Sequence, residues 1–146
     1  MDESIIRYVH FVGILLFSSA LFIQLFLVSD KVSAERMRLI ARSDAMAGMS
    51  IIIVLISGVL LWFLVGKPSA YYSSNWVFYL KLSTLFVIVL LAIQPAVFFA
   101  RNRRPAKDAV ISIPKRIARQ IRAEVALLMM MPLFAAFMAR GYGVIL

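Results

Sequence analysis

Across 146 residues the chain has no cysteine and a single histidine, His10. The first absence removes disulfides, thiolate metal sites and cysteine nucleophiles, and the second leaves one imidazole for any acid–base or ligand role. Acidic side chains are scarce, 7 against 16 Lys and Arg. No strand pattern competes with helix anywhere along the chain. Catalytic signatures are missing as well: there is no paired-carboxylate site within one apolar pocket, no phosphate-binding Gly-rich loop after a strand, no His-x-x-x-His pair and no nucleophile elbow.

What is present is apolar. Hydrophobic residues make up 63% of the chain and charged residues 16%, far from the balance of a soluble fold. Four stretches, 5–28, 45–65, 76–100 and 123–145, are each long enough to cross a hydrocarbon core of about 30 Å as a helix. The expectation is an all-α, integral membrane four-helix bundle, with 1–146 as a single transmembrane domain. The first stretch opens with Asp2 and Glu3, is too long for a signal-peptide core and lacks an obvious small-residue cleavage site, so it is read as retained.

The net charge of +9 is a topology signal and not a nucleic-acid footprint, because 12 of the 16 basic residues fall in two connections. One holds Lys31, Arg36, Arg38 and Arg42. The other holds Arg101, Arg103, Arg104, Lys107, Lys115, Arg116, Arg119 and Arg122. The positive-inside rule places both in the cytoplasm and both termini outside. The third connection carries only Lys67 and is flanked by Trp62, Tyr71, Tyr72 and Trp76, which fits an outer interfacial belt. Pro105 and Pro114 break the second basic segment. Its last part, Lys115 to Arg122 with Ile117, Ala118 and Ile121 interleaved, reads either as an amphipathic lead-in lying on anionic inner-leaflet lipid or as the topology signal alone.

Pro95 and Pro132 each free a backbone carbonyl within a span and permit a kink. Small residues at Ala47, Gly48, Ser57, Gly58, Ala135, Ala136 and Ala139 allow close helix contact.

Ionisable groups at membrane depth usually face a bundle interior. His10, Lys81 and Arg140 come to similar outer-side depth from three helices; Lys81 lies five residues past Trp76, roughly 7.5 Å at about 1.5 Å per residue. With Tyr71, Tyr72 and Trp76 at the mouth they outline a pocket for an anionic ligand, in which His10 is the candidate metal ligand. The plainer alternatives are snorkelling for Lys81 and Arg140 and a hydrogen-bonded packing role for His10. A second group, Gln24, Arg42, Asp44, Gln94, Arg122 and Glu124, lies towards the inner side. There Ser43 or Asp44 is expected to cap helix two and Glu124 to complement the dipole of helix four, with a proton path as the alternative. Met129, Met130, Met131 and Met138 are read as apolar filler in preference to copper-binding thioethers.

Taken together, His10, Arg42-Ser-Asp44, the Lys67-Pro-Ser-Ala-Tyr71-Tyr72 turn, Lys81-Leu82, Gln94-Pro95, Glu124 and the ending Pro132 to Arg140-Gly141 resemble a family of predicted bacterial inner-membrane proteins of unknown function. As that pattern runs, an acidic residue is common where Gln24 stands and an Arg where Leu61 stands. An early His, a Trp followed by a Lys in helix three, and an Arg-x-Glu entering helix four are also similar to the HemJ-type protoporphyrinogen oxidases. Those carry a further His where this chain has Phe78 and Tyr79. This second resemblance implies haem b, with His10 as axial ligand and Lys81 or Arg140 pairing with propionates. The broad superfamily is also similar to the CopD copper-resistance membrane proteins. The expected function is thus a small haem- or tetrapyrrole-associated redox protein, with copper handling or a non-catalytic membrane subunit as alternatives. The expected partners are the bilayer, anionic lipid at the basic loops, and a second copy or another membrane protein.

A reporter fused after Leu146 should be active only if it works on the outer face. Cytoplasmic activity from that fusion would invert the topology.

Overall fold

A computed structural model describes residues 2–144 and contains four helices long and apolar enough to cross a membrane. The first, α1 (Glu3–Leu27), starts where the Asp2 side chain accepts from the Ser4 N–H at 2.9 Å. The second, α2 (Ala34–Leu60), continues as a π-helical turn, Leu61–Val65. A short helix α3 (Ser69–Ser73) precedes α4 (Trp76–Arg101), and α5 (Lys115–Ala139) completes the bundle. The last span, expected to run to 145, already ends at Ala139, and 140–143 form turns; residue 145 itself lies outside the described residues.

Two further boundaries and one absence change from the sequence reading. The second helix begins at Ala34 and not at 45, with Ser33 as its cap: Ser33 Oγ accepts from the Arg36 N–H at 3.3 Å. The last helix begins at Lys115 and not at 123. Both extensions are amphipathic, and their apolar faces supply Met37 and Ile40 from one and Ile117 and Ile121 from the other to a buried cluster with Val32, Phe99 and Ile113. A hydropathy scan stops at the first charges, whereas a helix continues as long as one face has somewhere to pack. The same cluster explains the strands that alternation did not reveal. β1 (Lys31–Ser33) pairs antiparallel with β2 (Val110–Ser112), setting Val32 opposite Ile111. With three residues each, these strands are too short to show a period of two.

The apolar face of the lead-in therefore packs on protein, not on the leaflet: Ile117 is 6% exposed and Ile121 1%. Lys115, Arg116, Arg119 and Arg122 remain exposed.

A second cluster, within the spans, joins all four long helices through Phe17, Ala20, Leu21, Ala47, Ile88, Val125 and Leu128. Helix α1 packs chiefly on α2, and α4 on α5. The α1–α2 seam is lined by small residues: a Cβ at Gly13 would lie 3.0 Å from Val54 Cγ2, and Ser43 Oγ donates to the Ala20 carbonyl at 2.7 Å. With no hydrophobic force between helices in lipid, such close approach and hydrogen bonding hold the pair. Ala47 and Ser57 are buried there as expected, but Ala135, Ala136 and Ala139 are exposed and make no such seam.

At the end of the bundle that carries the termini, the start of α4 is latched to the turn after α5. Asn75, fully buried, caps α4 by accepting from the Val77 N–H at 2.9 Å and donates through Nδ2 to the Tyr142 carbonyl at 3.1 Å. The Trp76 N–H donates to the Gly143 carbonyl at 3.0 Å. Gly143 has φ +87°, and a Cβ on it would come within 2.6 Å of Asn75 Oδ1. Only glycine fits both the backbone and the contact.

Candidate functional site

The residues singled out in sequence fall in two places. Towards the terminal end, His10 sits seven residues into α1, about 10 Å along the axis at about 1.5 Å per residue. It faces the α2 residues Ser57 and Gly58: its Nδ1 is 2.9 Å from Ser57 Oγ, and a Cβ on Gly58 would lie 3.3 Å from its Cε1. Ser57 has one hydroxyl proton, directed at the Ile53 carbonyl. Ser57 Oγ is therefore the acceptor for an Nδ1–H, and the tautomer this selects leaves the lone pair on Nε2.

Lys81, half-buried on α4, acts electrostatically on the imidazole. Arg140 caps the end of α5 and is exposed. The Tyr71 hydroxyl donates to the Met138 carbonyl at 2.8 Å, and its ring lies 4.1 Å from Lys67 Nζ. Tyr72 packs on Phe78 with ring centroids 5.5 Å apart, while Trp76 is 56% exposed. These aromatics hold the turn before α4 against the end of α5.

The other place lies at the basic end. Gln24 of α1, Asp44 of α2 and Glu124 of α5 line a cavity of about 110 Å³ that is otherwise apolar, with Phe17, Leu21 and Pro95 among its walls. Gln24 is 2% exposed and Glu124 1%. The two carboxylates repel one another, and the Gln24 amide sits beside Asp44. Gln24 Nε2 approaches Asp44 without reaching good hydrogen-bond geometry, and Glu124 Oε1 has no partner. Among the described residues no basic group pairs with either acid, and the neighbouring Arg42 and Arg122 are exposed. Pro95, buried against the cavity, also leaves the Leu91 carbonyl without its usual N–H donor.

This overturns the capping roles expected for Asp44 and Glu124, because each lies about ten residues inside its helix. The signal for the correct placement was present in the spacing. Glu124 falls three and seven residues after Ile121 and Ile117 and four before Leu128, all on the buried face, and Gln24 follows Ala20 and Leu21 by four and three. Reading both helices as starting later hid that register.

The donor set is two carboxylates and an amide, which suits a proton or a hard cation. Among the described residues no three His, Cys, Asp or Glu side chains gather as a metal site. Met129 is 62% exposed and Met130 45%, facing outward from the bundle, while Met131 packs against the apolar cluster within the spans.

Four membrane-crossing helices around a buried acidic cavity define a small polytopic membrane protein with an internal polar site. The chain belongs to the family described as "Predicted membrane protein (DUF2214)", whose model matches residues 2–143. No curated protein and no solved structure matches it.

An amide donor buried without an acceptor costs about 1–3 kcal/mol. Gln24→Leu should therefore leave the detergent-solubilised protein at least as stable as the parent in thermal unfolding. A clear fall in Tm would mean that the amide is satisfied in the folded protein and the cavity is not strained.

Proposed function

We propose that this protein binds and relays protons within the membrane, with Glu124 as the central group and Asp44 as its link to the basic end. The observation that carries this reading is the pair of carboxylates around one cavity, with a lone pair of Glu124 and a donor of Gln24 left without partners. Two like charges at membrane depth with no counter-ion are costly. A bound proton offsets one of them, and its shuttling between the two acids needs no further ligand. The cavity has room for water to bridge them. Half-exposed Asp44 lies nearer the surface than Glu124 and forms the entry. By the positive-inside rule the basic end, and so the entry, faces the cytoplasm of a bacterial inner membrane. Beyond the cavity, Phe17 and Ile88 close the way towards His10 and Lys81, so relay across the full span requires the two helix pairs to shift.

The test is proton flux into liposomes containing the full chain and an internal pH-sensitive dye, driven by a potassium diffusion potential. Glu124→Gln, which keeps shape and removes the titrating group, should lower the flux at least about tenfold, in line with the loss of one proton-transfer residue. Asp44→Asn should lower it severalfold. Flux in the parent no greater than in protein-free liposomes overturns the proposal.

A second reading is favoured by one observation, the free Nε2 that the Ser57 contact leaves on His10. A histidine held by its other nitrogen is oriented as a metal ligand. In keeping with the HemJ-type resemblance, His10 would be the axial ligand of a haem b, which supplies one-electron chemistry when bound. Lys81 would be the closest partner for a propionate, and Tyr71, Tyr72, Trp76 and Arg140 would lie towards the surface. Adding haem to the purified protein should then give a Soret band that is absent in His10→Ala. An identical spectrum in the two proteins removes this reading.

A further inference from the structure

Apart from the carboxylate cavity, the basic end holds a cleft of about 340 Å³. Its walls are Arg38 and Arg42 of α2 and Arg103 and Arg104 just past α4, and Ala41 and Ala45 form the floor. Ala41 and Arg42 lie three and four residues after Arg38, and Ala45 four and three after them, so all four share a face of α2. The chain after α4 is brought to that face by two constraints. Phe99 is fully buried with Met37 and Ile40, and β2 is paired to β1 immediately before α2 begins.

Four guanidinium groups thus meet from separate parts of the chain, and no carboxylate lines the cleft. Among the described residues the one ion pair is Arg7–Glu3, at the other end of the molecule. Like charges gathered in this way repel and call for an anion. The planar fork of arginine matches the oxygens of phosphate in bidentate fashion.

The surroundings favour a lipid as the source of that phosphate. Ala45 lies where α2 passes from charged to apolar surface. On the same face, Met49, Ile52 and Ile56 follow it at intervals of three and four, at 69%, 56% and 59% exposure. An exposed apolar stripe therefore runs straight out of the basic cleft along the membrane-crossing part of the helix. A soluble phosphate makes no use of it, whereas acyl chains attached to a bound headgroup lie along it.

We propose that this cleft is a specific site for the headgroup of an anionic phospholipid, with one carrying two phosphates preferred, and that its acyl chains run along Met49, Ile52 and Ile56. This is distinct from general attraction of the basic end to a charged surface, which Lys115, Arg116, Arg119 and Arg122 provide equally well.

Native mass spectrometry of the full chain, released from detergent in the presence of equimolar cardiolipin and phosphatidylcholine, tests it. The parent should retain cardiolipin at least about tenfold over phosphatidylcholine, as bidentate guanidinium–phosphate contacts imply. The variant Arg38→Gln/Arg42→Gln/Arg103→Gln/Arg104→Gln should lose that preference. The variant Lys115→Gln/Arg116→Gln/Arg119→Gln/Arg122→Gln, with the same change in charge, should keep it. Equal loss in both variants means diffuse attraction and overturns the site. Retention of pyrophosphate in preference to cardiolipin when the two are equimolar would assign the cleft to a soluble phosphate ligand and overturn the lipid reading. Helix content by circular dichroism controls for folding. If the cleft variant loses helix, Arg42→Gln and Arg103→Gln singly should each reduce the preference, and no change in either overturns the proposal.

Discussion

A polar atom placed at the depth of the hydrocarbon has no water to bond to, and most of this structure follows from how each such atom is satisfied. The hydroxyls mostly turn back on their own helices. Ser18 donates to the Ile14 carbonyl, Ser50 to Met46, Ser57 to Ile53 and Thr84 to Leu80, each to the carbonyl four residues before. Ser43 instead crosses to Ala20 and ties α1 to α2. His10 completes the seam by using Ser57 as its acceptor. Against that pattern Gln24 Nε2 and Glu124 Oε1, both at the carboxylate cavity, find no partner, as do Trp62 Nε1 and Gln120 Oε1 elsewhere in the molecule. What distinguishes the cavity is that two such atoms and a second carboxylate, Asp44, meet around one space.

The bundle solves its packing differently at its two ends. At the basic end, extended helices and a two-stranded sheet bury a second apolar cluster beyond the membrane-crossing segments. This makes the region a small folded cap, and it fixes the relative placement of α2, α4 and α5. Among the described residues the terminal end has no equivalent cluster. Order there comes from backbone and amide bonds among Asn75, Trp76, Tyr142 and Gly143, and from an aromatic group in which Trp62 meets Phe78 with ring centroids 4.8 Å apart. The firm cap lies next to the carboxylate cavity and the arginine cleft, so both polar features rest on the better-supported end.

The two features are also electrostatically related. The carboxylates of Asp44 and Glu124 lie only two residues beyond Arg42 and Arg122 along their helices, about 3 Å of rise in each case. A layer of exposed guanidiniums therefore stands just outside a pair of buried acids. Such a layer attracts anions to the surface outside the acids.

Membrane insertion, the number of long helices and the clustering of charge at one end were determined by the sequence alone, because lipid thickness imposes a length and a composition that can be counted along the chain. The importance of His10 and the polarity of Gln24, Asp44 and Glu124 were also visible. Their surroundings were not. Whether Glu124 caps a helix or lies buried depends on where α5 begins, and that depends on Ile117 and Ile121 finding Met37, Ile40 and Phe99 from distant parts of the chain. Three-residue strands leave no periodic trace, yet their pairing brings Arg103 and Arg104 towards Arg38 and Arg42. Convergence of charge and orphaning of a hydrogen-bond donor are properties of neighbours in space, and only the tertiary structure decides which residues become neighbours.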